Sequence, residues 1–379
     1  MTSSHWWQLP GPGRFLEHVI RDLRAGKNVV LCLPEYAPSG LFNAVRERLR
    51  DDRMWESLRP PDAENPVSLL YRRFVPNATP GALWDAFSLV REHDFGGLLW
   101  VEIQTKKTWE AWKQFTEEYQ AACRGTGELN YAQLVVALEG EVATSPPEKD
   151  ALLSVRPWKE VVDSLDMLLL AADILRDKPI PPLQKRVAVS IIAQLARWDP
   201  EVVERLSAES LGQIYQPHPV LIEIAKERNW SIEVNACWHR GMQDTFEGRK
   251  CFHPAYSALL ENGETQRRVW SGQIQVIFPY LEERRHDLIE GLHSLLHAPD
   301  IFPRGKHEEL VEDINEFELT HIYQQIRRNY PSRFPDLEGL LALLKDMRDD
   351  LAHLRPLDPA MLKRPELEQF DRILAEASP

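Results

Sequence analysis

The sequence predicts an α/β domain built on a parallel sheet, followed by a mostly helical chain that ends in an antiparallel helical bundle. Three observations carry this expectation. Short apolar runs alternate with helical stretches up to about residue 145. Those runs stop after a turn-rich break at Ala143-Thr-Ser-Pro-Pro-Glu-Lys-Asp150, and clear helical periodicity returns from Trp270 onward.

Phe15, Val19, Ile20 and Leu23 recur at helical spacing before Gly26, a residue suited to a C-cap. Asn28-Val-Val-Leu-Cys-Leu-Pro34 is a continuous apolar run, as expected of a strand covered on both faces. A helix from about Gly40 to Asp51 follows. Gly97-Leu-Leu-Trp-Val-Glu-Ile103 and Gln133-Leu-Val-Val-Ala-Leu138 supply two further strands, with the helical stretch Thr108 to Arg124 between them. Strands joined by crossover helices pair in parallel, which assigns residues 1–148 to the α/β domain.

Past the break, Trp158 to Leu175, Leu183 to Arg197 and Glu201 to Leu206 read as helices, punctuated by Pro179, Pro181, Pro182 and Asp199-Pro200. Residues 149–230 are therefore a helical middle region, and the irregular, aromatic residues 231–264 a connector. In residues 265–379, Trp270, Ile274, Ile277, Leu281, Leu288, Leu292 and Leu296 share one face of a long helix, with a kink expected at Pro279. Leu310, Ile314, Phe317, His321 and Gln325 define a second helix; Leu337, Leu340, Leu341, Leu344, Met347 and Leu351 a third; Leu367, Phe370 and Leu374 a short fourth.

The formal net charge of −13 makes the whole surface repel nucleic acid, so any RNA contact must be local. Four scattered cysteines do not suggest a disulfide framework, and no segment has the length of apolar sequence that spans a bilayer. A reducing cytoplasm is the expected setting, with no membrane contact and no cofactor.

The strand Val29 to Leu33, the loop Pro34-Glu-Tyr-Ala-Pro-Ser-Gly-Leu-Phe42 and the helix after it have the layout of a P-loop. Its chemistry is missing. Leu41 and Phe42 follow Gly40 where a lysine and a hydroxyl residue are needed, and Glu35 would repel a triphosphate. Glu102, at the end of a strand, is placed like an acidic metal ligand, although strand-end acids usually have no such role. The region resembles a degenerate P-loop or AAA-like domain, with the helical middle as its lid.

The third C-terminal helix ends in Arg348-Asp-Asp-Leu-Ala-His353. Arg348 and His353 stand about 140° apart round a straight helix, so they converge only if the helix loosens before Pro356. Motif and surrounding helices together resemble HEPN-family ribonucleases, small bundles with an Arg-φ-x3-His motif; Asp349 and Ala352 match the positions after the arginine and before the histidine. The resemblance covers residues 265–376 and implies a homodimer through the C-terminal bundle that cleaves RNA without metal. By that resemblance His353 moves a proton or steadies the leaving oxygen, Arg348 binds the scissile phosphate and Asp349 orients one of them. Arg284, Arg285, Arg327 and Arg328 would add a local RNA patch, or are simply a solvated helix surface. Equally, an arginine and a histidine at a helix end can serve the helix dipole alone.

Cys237-Trp-His239 and Cys251-Phe-His253 supply four residues of zinc-binding type, but the one-residue gaps strain a shared metal and a packed aromatic hairpin explains them better. Two functional readings follow. One is a metal-independent HEPN-type endoribonuclease effector or toxin with protein partners in a bacterial phage-defence or toxin–antitoxin system. The other is a non-catalytic scaffold or adaptor subunit of a multi-protein defence complex.

Overall fold

The computed structural model describes residues 5–49, 54–62, 64–75, 84–92, 95–126, 131–304 and 307–378. The chain is 56% helical and contains a five-stranded parallel sheet. Two compact units divide it: Met1–Leu170 with Arg197–Glu201 and Trp230–Tyr256, and Ala171–Ala196 with Val202–Asn229 and Ser257–Pro379. Among the described residues no helix is long and apolar enough to cross a membrane.

Up to residue 175 the elements run α1 (Pro10–Arg24), β1 (Asn28–Leu33), α2 (Leu41–Leu49), β2 (Trp55–Leu58), α3 (Pro66–Phe74), α4 (Ala86–Leu89), β3 (Leu98–Ile103), α5 (Lys106–Thr126), β4 (Gln133–Glu139), β5 (Leu153–Pro157) and α6 (Ser164–Leu175). Helices α7 (Pro182–Ala196), α8 (Pro200–Ala208), α9 (Leu211–Tyr215) and α10 (His218–Glu227) follow, then the hairpin β6 (Gln243–Phe246) and β7 (Arg249–Phe252) and helix α11 (Pro254–Leu259). The remainder is α12 (Glu264–Gly291), the hairpin β8 (Asp300–Arg304) and β9 (His307–Val311), α13 (Leu319–Asn329), α14 (Pro335–Ala352), α15 (Pro359–Leu362), α16 (Pro365–Glu368) and α17 (Phe370–Ala377).

The sheet has the order β2-β3-β4-β1-β5 with every neighbour parallel. Strand alternation divides the apolar residues of β1 and β4 between two faces. Val30, Cys32, Leu134, Val136 and Leu138 join a core with Trp112, Phe115 and Tyr119 of α5. Toward the other face, Phe42 of α2 meets Trp100 of β3 edge-on with ring centroids 5.4 Å apart. Asn28 locks the strand starts: its side-chain carbonyl accepts from the Leu134 N–H at 2.8 Å and its amide donates to Gln120 at 2.9 Å.

Several expectations are corrected. The sheet does not end before residue 148, because β5 lies beyond the turn-rich break and pairs with β1. The expected irregular connector contains the β6–β7 hairpin and α11. No single helix runs through Leu310, Ile314 and Phe317: 307–311 is strand β9, 314–316 one turn of 3-10 helix, and α13 begins at Leu319. Helix α2 is described over Leu41–Leu49, and residues 50–51 of the expected helix lie outside the described residues.

Within the second unit α12 packs against α7, α14 and α17. Gly272 lets its backbone approach α7 so closely that a Cβ there would lie 2.5 Å from the Ile191 Cα. Gln273, wholly buried, accepts from the Leu357 N–H at 2.7 Å and donates to the Leu357 carbonyl at 3.1 Å. Trp270 donates its indole N–H to the Leu351 carbonyl at 2.8 Å. These bonds satisfy one carbonyl of the last turn of α14 and hold the chain that leaves it.

Candidate functional site

The end of α14 keeps helical form through Ala352 and then closes in a Schellman turn. The Arg355 N–H bonds to the Asp350 carbonyl at 2.9 Å and the Leu354 N–H to the Leu351 carbonyl at 3.2 Å. Leu354 occupies the left-handed position, φ 60°, where glycine is usual. The helix does not loosen before Pro356, the condition that convergence of Arg348 and His353 required.

Arg348 is about one-third exposed and lies on a cleft of about 230 Å³ lined by Glu282, Arg285, Asn315, Glu316, Phe317, Glu318 and Leu319. Its guanidinium pairs with Glu318 at 3.0 Å and with Asp349 at 3.6 Å. Asp349 also pairs with Lys345 at 3.1 Å. His353 caps α14, is exposed, and is not among the residues lining the cleft. The structure therefore groups Arg348 with Asp349 and with Glu318, the N-cap of α13, whose carboxylate completes a capping box with His321. No local sequence pattern marks Glu318 as the partner of Arg348, which lies 30 positions away.

The arginines proposed as an RNA patch are already bound within the chain. Arg284 pairs with Asp287 at 3.0 Å and lies over the Phe370 ring at 4.6 Å. Arg285 pairs with Glu282 at 2.8 Å and donates to the Asn315 and Phe317 carbonyls, each at 3.2 Å. Arg327 donates to the Tyr323 hydroxyl at 3.0 Å, and Arg328 pairs with Asp300. With three glutamates beside two arginines, the cleft offers a polyanion little attraction.

The loop from β1 to α2 follows an interior strand of the sheet, where open α/β folds place ligands. Here the chain itself supplies the neighbours. The Glu35 N–H donates to the His239 carbonyl at 2.7 Å, and Arg240 approaches the Glu35 carboxylate at 3.9 Å. Trp7 donates its indole N–H to the Ser39 carbonyl at 3.0 Å, and a Cβ on Gly40 would sit 3.3 Å from that nitrogen. Tyr36, in a left-handed conformation with φ 64°, sets its ring edge-on to Trp230 at 6.0 Å. Glu102 pairs with Arg59, Gln104 donates to Glu139 at 2.6 Å and Lys106 pairs with Glu141 at 2.6 Å.

The Cys-x-His pairs go separate ways. The Cys237 thiol lies 3.4 Å from His239 Nε2. His253 is fully buried, with Nε2 2.8 Å from Asp199 Oδ2 and Nδ1 accepting from the Ala255 N–H at 3.1 Å. Trp230 and Trp198 pack edge-on against its ring at 4.9 and 5.9 Å. Cys251 lies in β7, opposite Asp244. Among the described residues no group of three or more His, Cys, Asp or Glu side chains could hold a metal ion. Comparison with known proteins finds no matching family model and no matching curated protein.

Proposed function

We propose that the chain is a non-catalytic scaffold or adaptor whose α/β unit keeps the layout of a P-loop domain without its nucleotide chemistry. One observation carries this reading: the loop after β1 spends the Glu35 N–H on the His239 carbonyl and is packed by Trp7, so phosphate would meet no open backbone cradle. The sheet order, read from the other edge as β5-β1-β4-β3-β2, resembles that of AAA-like cores and supports the ancestry of the domain. Its partners would be proteins, within a defence complex of the kind the HEPN resemblance suggests.

A second reading, the metal-independent endoribonuclease, is favoured by the accessibility of His353 and Arg348 at one end of α14. Against it stand the carboxylates on Arg348 and the internal partners of Arg284, Arg285, Arg327 and Arg328. The experiment that separates the two incubates the purified chain with labelled RNAs beside Arg348→Ala and His353→Ala. The adaptor reading expects no cleavage by any of the three. Cleavage by the parent that both substitutions abolish would transfer the function to the ribonuclease.

A further inference from the structure

The second unit carries an exposed apolar pair set in strand register. In the antiparallel β8–β9 hairpin Ile301 stands opposite Leu310, and no third strand joins that sheet among the described residues. Phe302 and Val311 turn inward and are buried, so alternation sends Ile301 and Leu310 outward, where they are 51% and 58% exposed. Two aliphatic side chains directly opposite one another form one continuous apolar spot, and a two-stranded sheet leaves strand edges open beside it.

The surroundings of that spot are acidic. Residues 300–318 hold seven acidic side chains and two basic ones. Asp300 and Glu318 are bound by Arg328 and Arg348, and Glu309 lies 3.8 Å from His321. Glu308, Glu312 and Glu316 are exposed and form no ion pair among the described residues. By strand alternation Glu308 shares the outward face with Leu310, and Glu312 follows at the same spacing just past the strand end. Like charges beside an apolar spot repel one another in the free chain, and a cationic partner relieves that repulsion.

We infer that the outward face of this hairpin docks a basic, amphipathic protein segment. Its apolar side chains cover Ile301 and Leu310, and its lysines or arginines reach Glu308 and Glu312. The same charge turns away nucleic acid and anionic lipid, whose phosphates would face glutamates. A second copy of this chain, with its net charge of −13, is a poor electrostatic match. The inference rests on the adaptor reading and names the class of partner it recognises.

The test titrates the full-length chain with a short synthetic peptide of alternating leucine and lysine, beside its leucine–glutamate counterpart. The expected result is binding of the lysine peptide only, weakened about tenfold or more by the pair Ile301→Ser and Leu310→Ser. The pair Glu308→Gln and Glu312→Gln should weaken binding and flatten its salt dependence. Both pairs alter exposed side chains, and melting curves matching the parent identify them as folded. Equal binding by the parent and both variants, absence of binding, or binding of the glutamate peptide overturns the inference. Self-association in sedimentation that the serine pair abolishes also overturns it, by making a second copy the occupant. Failure at the hairpin leaves the adaptor reading intact, since that reading falls to nucleotide binding or to turnover of nucleotide or RNA, neither of which this titration measures.

Discussion

The backbone N–H of Glu35 donates to the carbonyl oxygen of His239 at 2.7 Å, a bond made within the loop that follows β1, where a working P-loop keeps its N–H groups open to phosphate. Magnesium ATP or GTP at millimolar concentration should therefore leave the melting temperature unchanged. A ligand at a hundredfold excess over its Kd stabilises the folded state by about 2.7 kcal/mol, so real binding would raise the melting temperature by several degrees. A rise of that size, or phosphate release above buffer, would remove the observation on which the adaptor reading stands.

Leu354 gives a second prediction, at the end of the helix that carries Arg348. It holds the left-handed position of the Schellman turn with 69% of its surface exposed, so it accepts backbone strain with little burial in return. Leu354→Gly should stabilise the chain by about 1 kcal/mol: relief of strain exceeds the greater freedom of glycine in the unfolded chain. Leu354→Val, whose branched side chain tolerates positive φ less well, should lower the melting temperature. Thermal denaturation of the two variants checks the sign, and a loss of stability with glycine would refute the strain argument.

What the sequence discloses follows from where each element finds its partners. Strands β1, β3 and β4 are legible because they are buried on both faces and read as unbroken apolar runs. Strand β5 is hidden because Ser154 and Arg156 are polar; both bond to Asp22, at 2.6 and 2.7 Å, a partner more than 130 positions away. The β8–β9 hairpin is masked by a coincidence of spacing, since Leu310, Ile314, Phe317 and His321 satisfy the helical period while belonging to a strand, a turn and a helix. At the candidate site the run Arg348 to His353 is visible as a pattern, but Glu318, which binds the arginine, lies 30 positions away. Nor does any local pattern bring Trp7 and His239 to the loop after β1.

His253, one of the four residues of zinc-binding type in the two Cys-x-His pairs, forms a buried pair with Asp199. Nδ1 of His253 accepts from a backbone N–H, so Nε2 carries the proton and donates to Asp199. His253→Ala would take the donor from Asp199 Oδ2, leaving the Glu201 N–H on Oδ1, and would leave a void beside Trp198 and Trp230, at a cost of about 3 kcal/mol. Chelators should leave the parent's melting temperature unchanged, because the histidine's partner is a carboxylate. A large fall on chelation would reinstate a metal at these residues.

Asp244, in β6, supplies a pH dependence whose sign can be worked through. Burial pushes its carboxyl up to about 6; the Thr245 N–H, the Lys159 charge and the Glu160 N–H act the other way, and the Glu160 charge adds to the rise. A carboxyl with a raised folded-state pKa binds its proton more tightly folded than unfolded, so stability falls as pH rises from the unfolded value, about 4, through about 6. Above that window the full cost of the buried charge is present, on the order of 3 kcal/mol. Asp244→Asn removes the charge and keeps an oxygen to accept from Thr245, which now donates at 2.7 Å. The variant should therefore melt well above the parent at pH 8, and the gap should shrink steadily toward pH 4. A gap independent of pH would show that the substitution acts through packing and that the Asp244 charge does not set the dependence.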